Sequence, residues 1–254
     1  MQKCKAQNII PHRSYRRLKI HKLHFFSELL VYFLFSAVAV YLYAEYLINT
    51  FSLYFKNVLL EANIDAATMV VDIFGFPVTL LKLSFVHTQP IYLFFILAGM
   101  VILFYILRIQ RVIPYNIAMW LNFFILIFIV FLLYFIFLGR QFPYSFIEYF
   151  ELYTTTHIGL MFFSFVITAS AVALTPAAYW MKGMTLVLLV GYYMFYSLVR
   201  YALVVLLTSQ LSIVMAPIMF FILYLDFIFF VSAYNYFLYK SAVLFQKKDE
   251  EWSW

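Results

Sequence analysis

The sequence predicts an all-α, polytopic membrane protein: six transmembrane helices, both termini cytoplasmic, and an interfacial helix in the first outer loop. Three observations predict it. The 254-residue chain is 67% hydrophobic and 11% charged, with a mean hydropathy of +0.95. Its apolar residues gather into runs near the length of about 20 residues that crosses a roughly 30 Å hydrocarbon core as a helix. Its cations collect at the ends of alternate runs. A soluble domain of this size has too small an interior for so much apolar surface.

The spans fall at residues 25–51, 91–107, 117–138, 158–179, 184–207 and 211–238, with tight turns expected at 180–183 and 208–212. Lys3, Lys5, Arg13, Arg16, Arg17, Lys19 and Lys22 precede the first span. Arg108 and Arg111 follow the second, Lys182 the fourth, and Lys240, Lys247 and Lys248 the sixth. With six spans all of these share one side, and Lys56, Lys82 and Arg140 share the other. That asymmetry places tails 1–24 and 240–254 in the cytoplasm and residues 54–90 outside. The net charge of +6 is concentrated in the N-terminal tail, where it suits anionic lipid headgroups and is no sign of nucleic acid. The single cysteine, Cys4, lies in that tail and forms no intrachain disulfide. The apolar run after the basic tail is too long for a signal-peptide core and lacks a small-residue cleavage site.

Within the first outer loop, Val58, Leu59, Ala62, Ala66, Met69, Val70 and Ile73 recur near helical spacing, with Lys56, Asn57, Glu61, Asp65 and Asp72 as the polar side. The pattern predicts an interfacial helix over 55–74, ended by the Gly75–Pro77 stretch. The alternation of Leu81, Leu83 and Phe85 with polar residues predicts a short extended piece. No internal repeat stands out.

Three ionisable residues are singled out inside the spans: Glu45, Arg200 and Asp226. Such groups need a partner or a purpose. Counted along the helices, Glu45 and Arg200 lie at equal depth, roughly 12 Å below the outer surface. That predicts a Glu45–Arg200 ion pair, read first as a packing clamp, with ligand binding by Arg200 as the alternative. Asp226 falls deeper with no cation at its level, which predicts a hydrogen-bonded interhelical contact; a proton or ion relay is the alternative. His87, Arg140, Glu148, Glu151 and His157 collect on the outer loops. Their spacing fits no metal motif and they read as solvated loop residues. There is no phosphate loop, no nucleophilic constellation with the only thiol on the far side, and no cofactor motif.

Residues 66–78, AATMVVDIFGFPV, followed by an extended piece and a span, resemble a segment of the exosortases and archaeosortases. The resemblance implies a polytopic membrane cysteine transpeptidase that processes sorting tails of exported proteins, and carries over Arg140 and His157 as site residues, His157-Ile-Gly-Leu resembling the family's histidine helix start. The family's nucleophilic cysteine is absent from residues 86–98, as is the asparagine that commonly precedes its arginine. The resemblance covers about a third of the chain and implies a relative without thiol chemistry, acting on or binding exported-protein tails.

The functional expectation is a non-enzymatic integral subunit or assembly factor of a larger complex in the cell's inner (plasma) membrane, with lipid and other membrane subunits as partners. The alternatives are the degenerate exosortase-like protein and a small ion-coupled permease using Asp226 and Arg200.

Overall fold

The computed structural model describes residues 17–18, 22–109, 114–138, 142–175, 179–245 and 252–253. In chain order these form β1 (Arg17–Leu18), α1 (Lys22–Leu42), a π-helical turn (Tyr43–Leu47), α2 (Ile48–Glu61), β2 (Ala67–Ile73), β3 (Phe76–Lys82), α3 (Pro90–Ile109) and α4 (Tyr115–Leu138). Then come α5 (Phe146–Leu174), α6 (Tyr179–Leu206), a second π-helical turn (Leu207–Leu211), α7 (Met215–Phe245) and β4 (Trp252–Ser253). The chain is mostly helical, and five stretches are long and apolar enough to cross a membrane: Phe25–Glu61, Pro90–Arg108, Ile117–Leu138, Phe146–Leu174 and Tyr179–Leu211. The first part of α7, Met215–Ile228, is apolar too.

Several sequence expectations need correction. No single interfacial helix covers 55–74. The first span runs on through α2 to Glu61, where Asn63 turns left-handed at φ 59° and ends the helix. Residues 67–82 then form an antiparallel β-hairpin, so the fold is not purely α. Phe74 and Gly75 both have positive φ, 56° and 84°, as a two-residue type I′ turn requires. Asp72 Oδ1 accepts the Gly75 N–H at 2.8 Å across it. The β-branched Val70, Val71, Ile73 and Val78 suit the pleat.

The fourth span begins at Phe146, twelve residues earlier than expected, because Ser145 and Glu148 form a reciprocal cap. Ser145 Oγ accepts the Glu148 N–H and Glu148 Oε2 accepts the Ser145 N–H, at 3.3 and 2.7 Å. Residues 180–183 are the first turns of α6, not a loop. The α6–α7 connection lies later than expected, with α7 starting at Met215.

α5 is central. Its buried residues, among them Phe150, Tyr153, His157, Met161, Phe165 and Val172, face α1, α6, α7 and the hairpin. β3 lies against α2 and α5 with Val78, Leu80 and Leu81 fully enclosed. Its free edge is closed by side chains. Asn49 Oδ1 accepts the Thr79 N–H at 2.6 Å, Asn49 Nδ2 donates to the Pro77 carbonyl at 3.0 Å, and Tyr201 Oη accepts the Leu81 N–H at 3.1 Å. Pro77, which has no N–H, stands where the backbone points away from β2. The segment after the hairpin is stitched to the α6–α7 connection through Val86, which donates to the Thr208 carbonyl and accepts from the Ile213 N–H.

α3 and α4 pack on each other and touch the rest where Leu93, Leu132 and Phe135 meet Ile213 and Val214, and where the Phe123 ring lies 6.2 Å from that of Phe221 on α7. Only 6% of the most apolar stretch of α3 is buried, against 44% for α5.

Asn49→Ala removes both edge bonds of β3 at once. It is expected to destabilise the protein by about 1–3 kcal/mol, the usual range for stranded backbone groups. Heat unfolding in detergent reads the loss, together with faster proteolytic nicking near Gly75.

Candidate functional site

Three helices bring their polar residues to one point. α6 supplies Arg200, α7 supplies Asp226 and α5 supplies His157. Arg200 Nη1 donates to Asp226 Oδ2 at 2.8 Å, and Arg200 Nη2 lies 3.1 Å from His157 Nε2. A guanidinium has only donors, so Nε2 must be the acceptor. His157 is therefore neutral, with its proton on Nδ1. The Arg200 and Asp226 side chains are 6% and 19% exposed, and His157 is buried.

Aromatic rings enclose the cluster. Tyr196, one turn before Arg200 on α6, places its ring 5.0 Å from the guanidinium carbon. Tyr153, one turn before His157 on α5, meets the imidazole edge-on at 6.3 Å, and Tyr43 lies 6.1 Å away on another side. Tyr43 belongs to the first π-helical turn, and the second follows Arg200 by two turns of helix. Such turns are widened by one residue and gather at functional sites. Two buried polar atoms, Arg200 Nε and the Tyr153 hydroxyl, find no partner among the described residues.

The predicted Glu45–Arg200 pair does not form; the acid that Arg200 meets is Asp226. Glu45 sits half-buried in the first π-helical turn, where its carbonyl accepts the Asn49 side-chain amide at 2.7 Å. Asp226 has a cation at its level after all. The sequence carried a usable signal: Arg200 and Asp226 stand thirteen residues either side of Ile213, so an antiparallel turn there places them face to face. Measuring depth from an assumed membrane surface hid that symmetry.

A second buried pair was not foreseen. Lys182 Nζ donates to Glu28 Oε2 at 2.7 Å, joining α6 to α1 with both side chains nearly enclosed, 7% and 11% exposed. Lys182 reads in the sequence as a loop cation, but inside α6 it is a span residue.

His157, Glu148 and Glu151 are helical, not loop residues. Glu148 is the α5 cap, Glu151 is half-buried, and His87 is exposed in the segment before α3. Among the described residues, no three of His, Cys, Asp and Glu gather where they could hold a metal ion. Arg140, Arg111 and most of the basic N-terminal tail lie outside the described residues.

No protein-family model matches the chain, and no curated protein or solved structure matches it either. Its chemistry is read from the cluster alone. Arg200 and Asp226 neutralise each other, and His157 has committed its lone pair to Arg200. The cluster thus binds three helices together.

Asp226→Leu leaves Arg200 buried without its counter-ion. Heat unfolding in detergent is expected to show a loss of about 3–5 kcal/mol, the usual effect of breaking one side of a buried pair. The double variant Arg200→Met, Asp226→Leu is expected to recover most of it, because no lone charge remains.

Proposed function

We propose that this chain is a non-enzymatic integral subunit or assembly factor of a larger complex in a plasma membrane, crossing it six times with both ends cytoplasmic. The observation that carries the reading is the α3–α4 hairpin. It is apolar around nearly its whole circumference, with Phe95 and Tyr105 71% and 66% exposed, and only 6% of the most apolar stretch of α3 is buried. A pair of helices that the chain's own core leaves uncovered is a surface on which other helices can pack. The antiparallel pairing of Arg17 with Ser253 and Leu18 with Trp252 supports placing both ends on one side. The apolar length of α7 supports the sixth crossing. Closure of Arg200 on Asp226 favours a clamp over the permease reading, which needs those groups to face a hydrated path.

The exosortase-like reading keeps one observation in its favour. His157 does meet an arginine, although that residue is Arg200 and Arg140 is not described. On that reading, His157→Ala would leave exported proteins with sorting tails unprocessed; unchanged processing leaves the subunit reading alone.

The direct test places photo-crosslinking residues at Phe95 and Tyr105 in living cells, with the enclosed Leu189 as control. Discrete protein adducts at the two exposed positions, identified by mass spectrometry, are expected. Lipid adducts alone, together with recovery as a lone monomer in mild detergent, would overturn the reading.

A further inference from the structure

We infer that the tip of the β-hairpin is a lipid anchor, with the Phe74 ring set into the bilayer where headgroups meet hydrocarbon. The contacts of β3 show that the hairpin folds back along the first span. The Phe76 ring lies 5.8 Å from that of Tyr41 on α1, and Asn49 on α2 holds the Pro77 carbonyl and the Thr79 N–H. Tyr41 and Asn49 are eight residues apart, about 12 Å along a helix. Phe76 and Thr79 are three apart, about 10 Å along a strand. β3 therefore runs beside the helix in the same direction, and the turn that precedes it, Phe74–Gly75, lies at the level of Tyr41.

That level is where the hydrocarbon ends. The first span carries no Asp, Glu, Lys or Arg between Glu28 and Glu45. The helix rises about 25 Å between those two residues, close to the thickness of a hydrocarbon core. Tyr41 and Tyr46 stand near the Glu45 end, 44% and 56% exposed, as tyrosines do at the headgroup level. Phe74 continues this exposed face. Its ring is 65% exposed, so its own chain hardly packs it. Its backbone is left-handed, φ 56°, a conformation that the type I′ turn requires and that suits Asn, Asp or Gly. A bulky ring there is strained and gains little from the protein's interior, so what favours it lies outside. At this depth, beside the exposed tyrosines of the span, the neighbour is lipid. Asp72 is exposed two residues away and accepts the Gly75 N–H. Its carboxylate limits the insertion to the ring and keeps the turn's backbone among the headgroups. The inference needs the first span to cross a bilayer and does not depend on the subunit reading.

The test is spin labelling of the full-length protein, carrying Cys4→Ser and reconstituted alone into phosphatidylcholine vesicles. Single labels at Phe74→Cys, Val70→Cys, Ala67→Cys and Val38→Cys are read by their collisions with oxygen, which concentrates in lipid, and with a water-soluble nickel chelate. Val38, exposed within the first span, and Ala67, exposed at the far end of β2, set the lipid and water limits. The label at Phe74 is expected to be several-fold less open to nickel than that at Ala67, with Val70 between them. Phe74→Asn suits the turn and is expected to leave heat unfolding in detergent no earlier than in wild type. In vesicles it is expected to raise nickel access at Val70, a measurement that stands even where a label at Phe74 disturbs the hairpin. Equal nickel access at Phe74 and Ala67, or no change at Val70 in the Phe74→Asn variant, would overturn the inference. A label at Val38 open to nickel would remove the span from the bilayer and the inference with it. Failure of the subunit reading appears instead as missing protein adducts at Phe95 and Tyr105.

Discussion

Arg200 is the group on which the rest of the arrangement depends. A guanidinium keeps its charge under all ordinary conditions, so a span that carries one must bring it partners. Asp226 from α7 and His157 from α5 fill two of its sides, and the Tyr196 ring covers a third. Those contacts fix three helices relative to one another. The next residue on α6, Tyr201, points to the hairpin and accepts the Leu81 N–H. One turn of α6 thus joins the charged centre to the β-hairpin.

The two π-helical turns make that coupling geometrically feasible. A widened turn changes which backbone groups are free and rotates the following residues. In the first, the Glu45 carbonyl accepts the side-chain amide of Asn49, which in turn grips β3. In the second, the Ser212 N–H reaches back five residues to Leu207, and the Thr208 carbonyl is left to accept Val86. The segment after the hairpin is thus held by the Thr208 carbonyl, a backbone group that a regular helix would have used internally. Both devices sit next to the polar cluster, so the irregular backbone and the buried charges occupy one region of the molecule.

The apolar runs were legible in the sequence because hydrocarbon length sets a simple rule, and the bounds of the third run agree with the candidate span Ile117–Leu138. The hairpin was not, because residues 58–73 place apolar side chains at intervals that satisfy a helical and a strand period alike. Local chemistry would have decided it. Asn63 is a natural left-handed helix stop, and Gly75, whose N–H Asp72 accepts, is the second residue of a two-residue turn. The start of α5 was legible too, in the Ser145–Glu148 spacing of a capping box, but the polar Thr154–Thr156 run disguised the helix that follows. The ion pairs were the least legible. Pairing between helices depends on where the turns lie, and an error of a few residues at the α6–α7 turn exchanges one partner for another. Lys182 reads as a loop cation for the same reason.

The contrast between the two parts of the molecule follows from what holds helices together in a bilayer. Lipid tails are as apolar as leucine, so apolar contact alone gives a helix little reason to prefer its own chain over lipid. Polar contacts and close packing supply the preference. Between α1, α5, α6 and α7 they are abundant: Lys182 with Glu28, Ser164 with Tyr193, the Tyr149 hydroxyl on the Ala216 carbonyl, and the Tyr234 hydroxyl on the Thr185 carbonyl. Among the described residues, α3 and α4 meet this unit through apolar contacts alone, Leu93, Leu132 and Phe135 on Ile213 and Val214 and Phe123 on Phe221. Exchanging apolar neighbours along the remainder of their length changes the free energy little, whether the newcomer is an acyl chain or another helix. The bundle is therefore specified from within, and the α3–α4 pair is the part whose surroundings the described residues of its own chain leave open.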